Sequence, residues 1–196
     1  RPMVTILLTA LAKAANSLGM AQTLDEVFIL PAGPGDADGL ARVHVQAWRE
    51  TYQGLLPDAY LDRMSLPLHA GRFRAQLAAA RPREVVLTVE SAAGLIGYCA
   101  GETGEGAAEV FTLYLLRRSQ GRGLGRRLLT AWARAAVGGG ARRLGLWVLE
   151  GNLRARAFYR HLGAAYAERR PARGFAGRME VRYDWPDIDM LADSSE

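Results

Sequence analysis

A glycine-dense turn, Gln120-Gly121-Arg122-Gly123-Leu124-Gly125-Arg126-Arg127, joins an apolar strand-like run (Val110 to Leu116) to an apolar-periodic run that reads as a helix (Leu128 to Val137). Strand, glycine turn and helix in that order constrain this chain more than any other feature. Glycines at such a junction let several backbone N–H groups converge without side-chain obstruction, and a helix N-terminus adds partial positive charge. The turn is therefore suited to a phosphate or pyrophosphate. Two common phosphate loops do not fit: the spacing is not G-x-G-x-x-G, and no Lys-Ser or Lys-Thr follows to complete a Walker loop.

The turn matches Q/R-x-x-G-x-G/A through Gln120, Gly123 and Gly125, and in this it resembles the acyl-CoA pyrophosphate loop of the GNAT superfamily of N-acetyltransferases. The resemblance implies acetyl-CoA as co-substrate. It places the backbone N–H groups of Gly121, Arg122, Gly123, Leu124, Gly125 and Arg126 around the pyrophosphate, with the guanidinium of Arg122 or Arg126 reaching the outer phosphates. For the two arginines a solvated surface role stands beside this one.

The rest of the chain follows a matching order. Val27 to Leu30 reads as a strand, and Leu40 to Tyr52, Pro57 to Met64 and Leu66 to Ala80 read as helices. Val85 to Glu90 and Leu95 to Glu102 form a plausible hairpin, and Glu109 to Leu116 adds a third strand after a glycine-rich loop, Gly101 to Gly106. The helix from Leu128 stops at Gly138-Gly139-Gly140; Leu144 to Leu149 is strand-like, Asn152 opens a helix through His161, and Ala164 to Glu168 and Arg178 to Trp185 are terminal strands. This is the GNAT order, so the expected fold is α/β (α+β): a splayed, mixed, mainly antiparallel sheet of about six to seven strands flanked by helices. The expected domain is 25–186, preceded by an extension (1–24) and followed by an acidic tail (187–196). In the extension, Val4 to Ala15 is apolar around Lys13 and far short of the roughly 20 residues a membrane span needs. An amphipathic helix, or an extension upstream of a start at Met20, is expected there rather than a membrane segment.

Acetyl transfer to an amine makes two demands. The amine must be neutral to attack, which for a lysine-like group of pKa about 10.4 costs roughly 4 to 5 kcal/mol at pH 7. The departing sulfur must also be protonated or otherwise stabilised. For the first, Glu109 opens the strand leading to the glycine turn, and its spacing to Gln120 matches the base glutamate of the histone-acetylating branch of the family. A solvent-exposed strand-edge carboxylate is the equal alternative. For the second, Asn152-Leu-Arg-Ala155-Arg-Ala-Phe158-Tyr159 resembles the family's N-x-x-A-x-x-F-Y segment, which assigns Tyr159 as general acid beside the thioester sulfur. Asn152 also reads as a helix N-cap. In the family this asparagine contacts the pantetheine arm, whose amides bond the exposed strand edge, here at Leu113 and Leu115, with Phe158 alongside. Trp48 and Tyr52, four apart on one helical face, belong to a segment that in bacterial members walls the acceptor pocket; core packing is their alternative.

Composition narrows the rivals. The 196 residues are 49% hydrophobic and 23% charged, enough for one well-cored domain. Net charge is +5, almost wholly from arginine, and many arginines flank the glycine turn, where CoA phosphates supply a polyanion. A nucleic-acid partner is the lesser explanation, because no exposed aromatics interleave the charges. The lone Cys99 sits in an apolar run with no neighbouring base, which fits core packing and a reducing, cytoplasmic setting. His44, His69 and His161 form no metal-ligand spacing, so no metal is expected. A homodimer is implied by the resemblance alone. The acceptor is a primary amine of open identity, and a CoA-binding regulatory module without turnover is the other reading.

Overall fold

The computed structural model describes residues 26–193. Seven strands form one sheet in the order β1-β2-β3-β4-β5-β7-β6. They are β1 (Phe28–Pro31), β2 (Glu84–Ser91), β3 (Gly94–Thr103), β4 (Gly106–Leu115), β5 (Ala141–Leu149), β6 (Ala165–Pro171) and β7 (Met179–Trp185). Only β4 and β5 run parallel; every other neighbouring pair is antiparallel. The helices are α1 (Ala37–Tyr52), α2 (Asp58–Asp62), α3 (Leu66–Ala79), α4 (Leu124–Gly138), α5 (Leu153–His161) and α6 (Asp189–Ala192). The splayed mixed sheet expected from the sequence is present. The expected N-terminal extension lies outside the described residues.

Strand alternation divides the core in two. Ala108 and Val110 of β4, Leu144, Leu146 and Val148 of β5, and Val181, Tyr183 and Trp185 of β7 share one face with α4. That helix supplies Leu124, Leu128, Leu129, Trp132, Ala133 and Ala136, an apolar stripe at helical spacing. The Trp132 indole N–H donates to the Val85 carbonyl at 3.1 Å, fixing the helix across the meander. On the other face Tyr98, Ala100 and Leu116 pack under α1 and α3 through Leu40, Val43, Ala70 and Phe73.

Two expectations are corrected. The loop between β3 and β4 is far shorter than the glycines suggested, because β3 runs to Thr103 and β4 begins at Gly106. Residues 187–193 are not a tail outside the domain: Ile188 and Leu191 are fully buried against the main core. Thr130 Oγ1 donates to the Leu191 carbonyl, and Arg134 Nε to the Ala192 carbonyl at 2.7 Å, so side chains of α4 satisfy the end of α6. Acidic Asp187, Asp189 and Asp193 masked this apolar anchor in the sequence.

The sheet is interrupted at its centre. Ala100 pairs with Thr112 while Gly101 pairs with Val110, leaving Phe111 as the extra residue of a bulge in β4. The parallel β4–β5 ladder begins at Gly106–Ala141 and ends at Val110–Leu146. Beyond it β4 continues with β3, β5 continues with β7, and the two separate. Gly101 is required at the bulge: a Cβ there would fall against the Glu109 carbonyl and 2.8 Å from Trp132 Cζ2. Gly101→Ala is therefore expected to cost about 1–3 kcal/mol through overpacking. A urea titration checks this; an unchanged midpoint would refute the close-approach account.

Candidate functional site

Where β4 and β5 part, a cleft of about 770 Å³ opens through the sheet. One wall is β4 from Phe111 to Leu115, and the opposite wall is Trp147, Val148 and Leu149 of β5. The glycine turn and α5 close one end, and the aromatic residues of α1 line the other.

The edge of β4 faces this opening. The Leu116 N–H donates to the Ile96 carbonyl at 2.9 Å. By alternation, the peptide groups of Leu115 and Leu113 turn the other way, into the cleft, where the ladder has already ended. Leu115 is partly engaged, because its carbonyl accepts from Gln120 Nε2 at 2.7 Å. Gln120 thus ties the glycine turn back to the strand that precedes it.

α4 starts one turn earlier than its apolar periodicity suggested, so the second half of the glycine turn is already helical. Gly123 is the N-cap with φ 77° and ψ −11°, and Gly121 also has φ 77°, a region that disfavours side chains. The first helical bond inside the turn runs from the Arg127 N–H to the Gly123 carbonyl at 3.1 Å. The N–H groups of Leu124, Gly125 and Arg126 precede it and have no carbonyl one turn back. No side chain caps this end and its first turn carries no acid, which leaves the positive end of α4 open to an anion. Gly121, Gly123, Gly125 and Arg126 line the cleft. Leu124 instead turns its side chain into the core, and Arg122 is outside the lining. Gly125 has a packing reason to be glycine: a Cβ would lie 3.2 Å from Phe158 Cζ. That contact sets α4 against α5.

Asn152 caps α5, its Oδ1 accepting from the Ala155 N–H at 3.2 Å, while the residue also lines the cleft. One turn and a half on, Phe158 and Tyr159 reach the same space. Tyr159 is buried, in edge contact with Trp185 and Phe158. Burial, with smaller effects of Tyr52 and Cys99, pushes its phenol pKa well above the usual value. No protein group hydrogen-bonds its hydroxyl among the described residues. At the other end, Tyr52 Oη and Tyr114 Oη lie 3.1 Å apart, and burial raises both pKa values. Trp48 meets Tyr52 edge-on at 4.9 Å, and it both packs on the core and lines the cleft.

Glu109 is not brought into the cleft lining. It stands in register with Gly145, one rung before the split, and pairs with Arg182 at 3.5 Å while Arg182 also donates to Asp184. The lining contains two carboxylates that sequence reasoning missed, Glu50 and Glu180. Glu180 had no motif around it; only the pairing of β7 with Leu149 of β5 carries it to the site. Cys99 is fully buried and desolvation pushes its thiol well above the ordinary value, so it is no nucleophile. Among the described residues, no cluster of three or more His, Cys, Asp or Glu side chains could hold a metal ion, and no helix is long and apolar enough to cross a membrane.

This combination of a split sheet, a glycine-capped helix facing the split and a tyrosine on the next helix defines an acyl-CoA-type transferase fold. A family profile described as the acetyltransferase (GNAT) family matches residues 45–164, and the chain belongs to that family. It is similar to the uncharacterized N-acetyltransferase YuaI of Bacillus subtilis (strain 168), with 27% identity over 166 residues, 80% of this chain and 91% of that one. Among solved structures it is similar to the PaiA N-acetyltransferase of Thermoplasma acidophilum, crystallised with coenzyme A: TM-score 0.69, 18% identity, 82% of this chain and 99% of that one. An acetyltransferase of Thermus thermophilus gives TM-score 0.62 and 26% identity over 84% of this chain and 99% of that one.

Two outcomes follow from this geometry. Gly123→Glu puts strain, bulk and negative charge at the open helix end, so acetyl-CoA affinity by isothermal titration should fall at least about tenfold while far-UV dichroism is retained. The second concerns His44, which backs the aromatic wall. It stacks against Trp48 and His69 and hydrogen-bonds Tyr98 Oη through Nδ1 at 2.6 Å. Burial, then the charges of His69 and Arg72, lower its pKa from 6.5 to about 4. Between those values the unfolded chain takes a proton that the folded chain refuses, so stability is full above about pH 6.5 and declines toward pH 4. His69 shifts the same way. His44 alone should cost about 2 kcal/mol between pH 7 and pH 5. Denaturant titrations of wild type and His44→Gln at both pH values test this; an equal pH sensitivity in the two would refute it.

Proposed function

We propose that this protein transfers an acetyl group from acetyl-CoA directly to a primary amine, without an acyl-enzyme. One observation carries the reading: the open end of α4, the unpaired edge of β4 at Leu113 and the hydroxyl of Tyr159 all meet in one cleft. The PaiA relative's complex with coenzyme A supports the same use of the fold. The N–H groups beyond Gly123, with Arg126, suit a pyrophosphate, and helix-terminus electrostatics contribute about 0.3–1 kcal/mol. The Leu113 peptide suits the amides of an extended arm, which would pair with β4 where β5 has left it. Asn152 holds α5 in place and borders the same arm.

In direct transfer the amine nitrogen forms its bond to the thioester carbonyl carbon, the C–S bond breaks, and the thiolate leaves. Tyr159 is the group for that sulfur. Burial raises its pKa, which keeps the phenol protonated near neutral pH and able to donate. The same elevation makes full proton transfer to a thiolate of ordinary pKa about 8.5 uphill, so its main contribution is a hydrogen bond to the developing charge, with solvent completing the protonation. Glu109, outside the lining, would draw the amine's proton only through water.

The buried Cys99 thiol favours direct transfer over a ping-pong route. Tyr159→Phe tests the assignment. Its kcat should fall about 100-fold or more, in the range for loss of a positioned donor to developing charge, with acetyl-CoA affinity by titration within about threefold of wild type. Unchanged kcat would remove Tyr159 from the chemistry, and tight acetyl-CoA binding without transfer to any amine would favour the regulatory-module reading.

A further inference from the structure

The cleft has one carboxylate oxygen to spare. Of its two acidic lining residues, Glu50 is committed at both oxygens: Oε1 accepts from Gln46 Nε2 at 2.9 Å and Oε2 from the Arg117 backbone N–H at 2.7 Å. Glu180 is held at Oε1 alone, by Arg170 Nε at 2.6 Å, and no donor reaches its Oε2 among the described residues. Arg170 cannot readily swing to cover it, because its guanidinium lies 3.5 Å over the Trp147 ring. The Glu180 side chain is only 14% exposed, so the carboxylate is fixed rather than waving in solvent.

Its surroundings are apolar. Glu180 is the cross-strand partner of Leu149, and directly paired side chains lie within about 5.5 Å at Cβ. Leu149, Trp48, Tyr52 and Phe175 all pack against one buried cluster, Val45, Leu56, Leu61 and Met64. A half-paired anion beside an aliphatic and aromatic wall matches a cation on an apolar arm. A polycation would find Arg154 and Arg173 in the same lining, which disfavours it.

We propose that Glu180 holds the ammonium group of the acceptor through Oε2, and that the acceptor is a primary amine on an apolar or aromatic arm lying against Leu149, Trp48 and Phe175. The assignment deepens the acetyl-transfer reading and rests on it. A carboxylate offers about four lone-pair sites, so one oxygen can serve Arg170 while the other accepts from the ligand. Glu180 acts here as a specificity residue; after binding, the ammonium gives its proton to water, which carries it to Glu109 or bulk solvent and frees the lone pair for attack.

The test uses full-length protein saturated with CoA and titrated with phenethylamine, 2-phenylethanol and putrescine. Phenethylamine should bind wild type most tightly, and Glu180→Gln should weaken it about tenfold or more, as expected for loss of a charged hydrogen bond. The alcohol should bind both proteins equally, and CoA affinity should be unchanged within about twofold, which reports an intact fold. Glu109→Gln should bind phenethylamine as wild type does. Equal phenethylamine binding by Glu180→Gln, or loss of it in Glu109→Gln instead, overturns the assignment; tighter binding of putrescine overturns the apolar arm. If phenethylamine binding depends on Glu180 but mass spectrometry of wild type with acetyl-CoA finds no acetylated product, the acetyl-transfer reading fails while the cation site stands.

Discussion

The end of the β4–β5 ladder at Val110–Leu146 is the constraint on which the rest of the site depends. An unbroken sheet would bury its central backbone groups against each other and leave nothing to bind. Two features enforce the break. The bulge at Phe111 turns β4 away, and it exists because Gly101 lets Trp132 and the β4 backbone approach where any side chain would collide. On the far side β7 holds β5 from Leu144–Trp185 to Leu149–Glu180, past the end of the β4–β5 ladder, so β5 cannot follow. Each half of the sheet is stable with its own partner, and the gap is the outcome of two well-paired sides rather than of one weak one.

That gap explains why the glycine turn sits where it does. β4 leaves the sheet pointing at the positive end of α4, and Gln120 fastens the turn to the last carbonyl of the strand. The three features that were legible in the sequence, the strand, the glycines and the helix, are therefore mechanically one unit. Their order was readable because each has a local signature: a run of apolar residues, positive-φ glycines and a 3.6-residue stripe. Asn152 and Tyr159 were readable for the same reason, since cap and tyrosine share one short helix with fixed spacing.

What the sequence did not disclose is whatever depends on register between distant strands. Glu109 has the right distance along the chain from Gln120, yet the rung at which β4 and β5 separate decides whether its carboxylate meets the cleft, and that rung is set by the bulge two residues later. Glu180 lies in an unremarkable strand near the end of the chain and becomes part of the site only through antiparallel pairing with Leu149. The core role of Ile188 and Leu191 was hidden similarly, by interspersed acids and a four-residue helix too short to show periodicity.

The two ends of the cleft differ in kind, and this bears on how such a site divides its labour. At the α4 end the groups offered are backbone N–H, fixed by helix geometry and indifferent to most side-chain substitution. At the α1 end they are side chains: Trp48 and Tyr52 from one helical face, Phe175 from the β6–β7 connection, Leu149 and Glu180 from paired strands. A ligand common to many reactions is best held by the first kind, because its affinity then survives sequence change. A ligand peculiar to one reaction is best selected by the second, where a single replacement alters charge or shape. Tyr159 stands between them, oriented by the main core through Trp185 and Phe158 rather than by either end. On the proposed reading, chemistry anchored to the core with selectivity on the α1 wall would let the acceptor change without disturbing the reacting geometry.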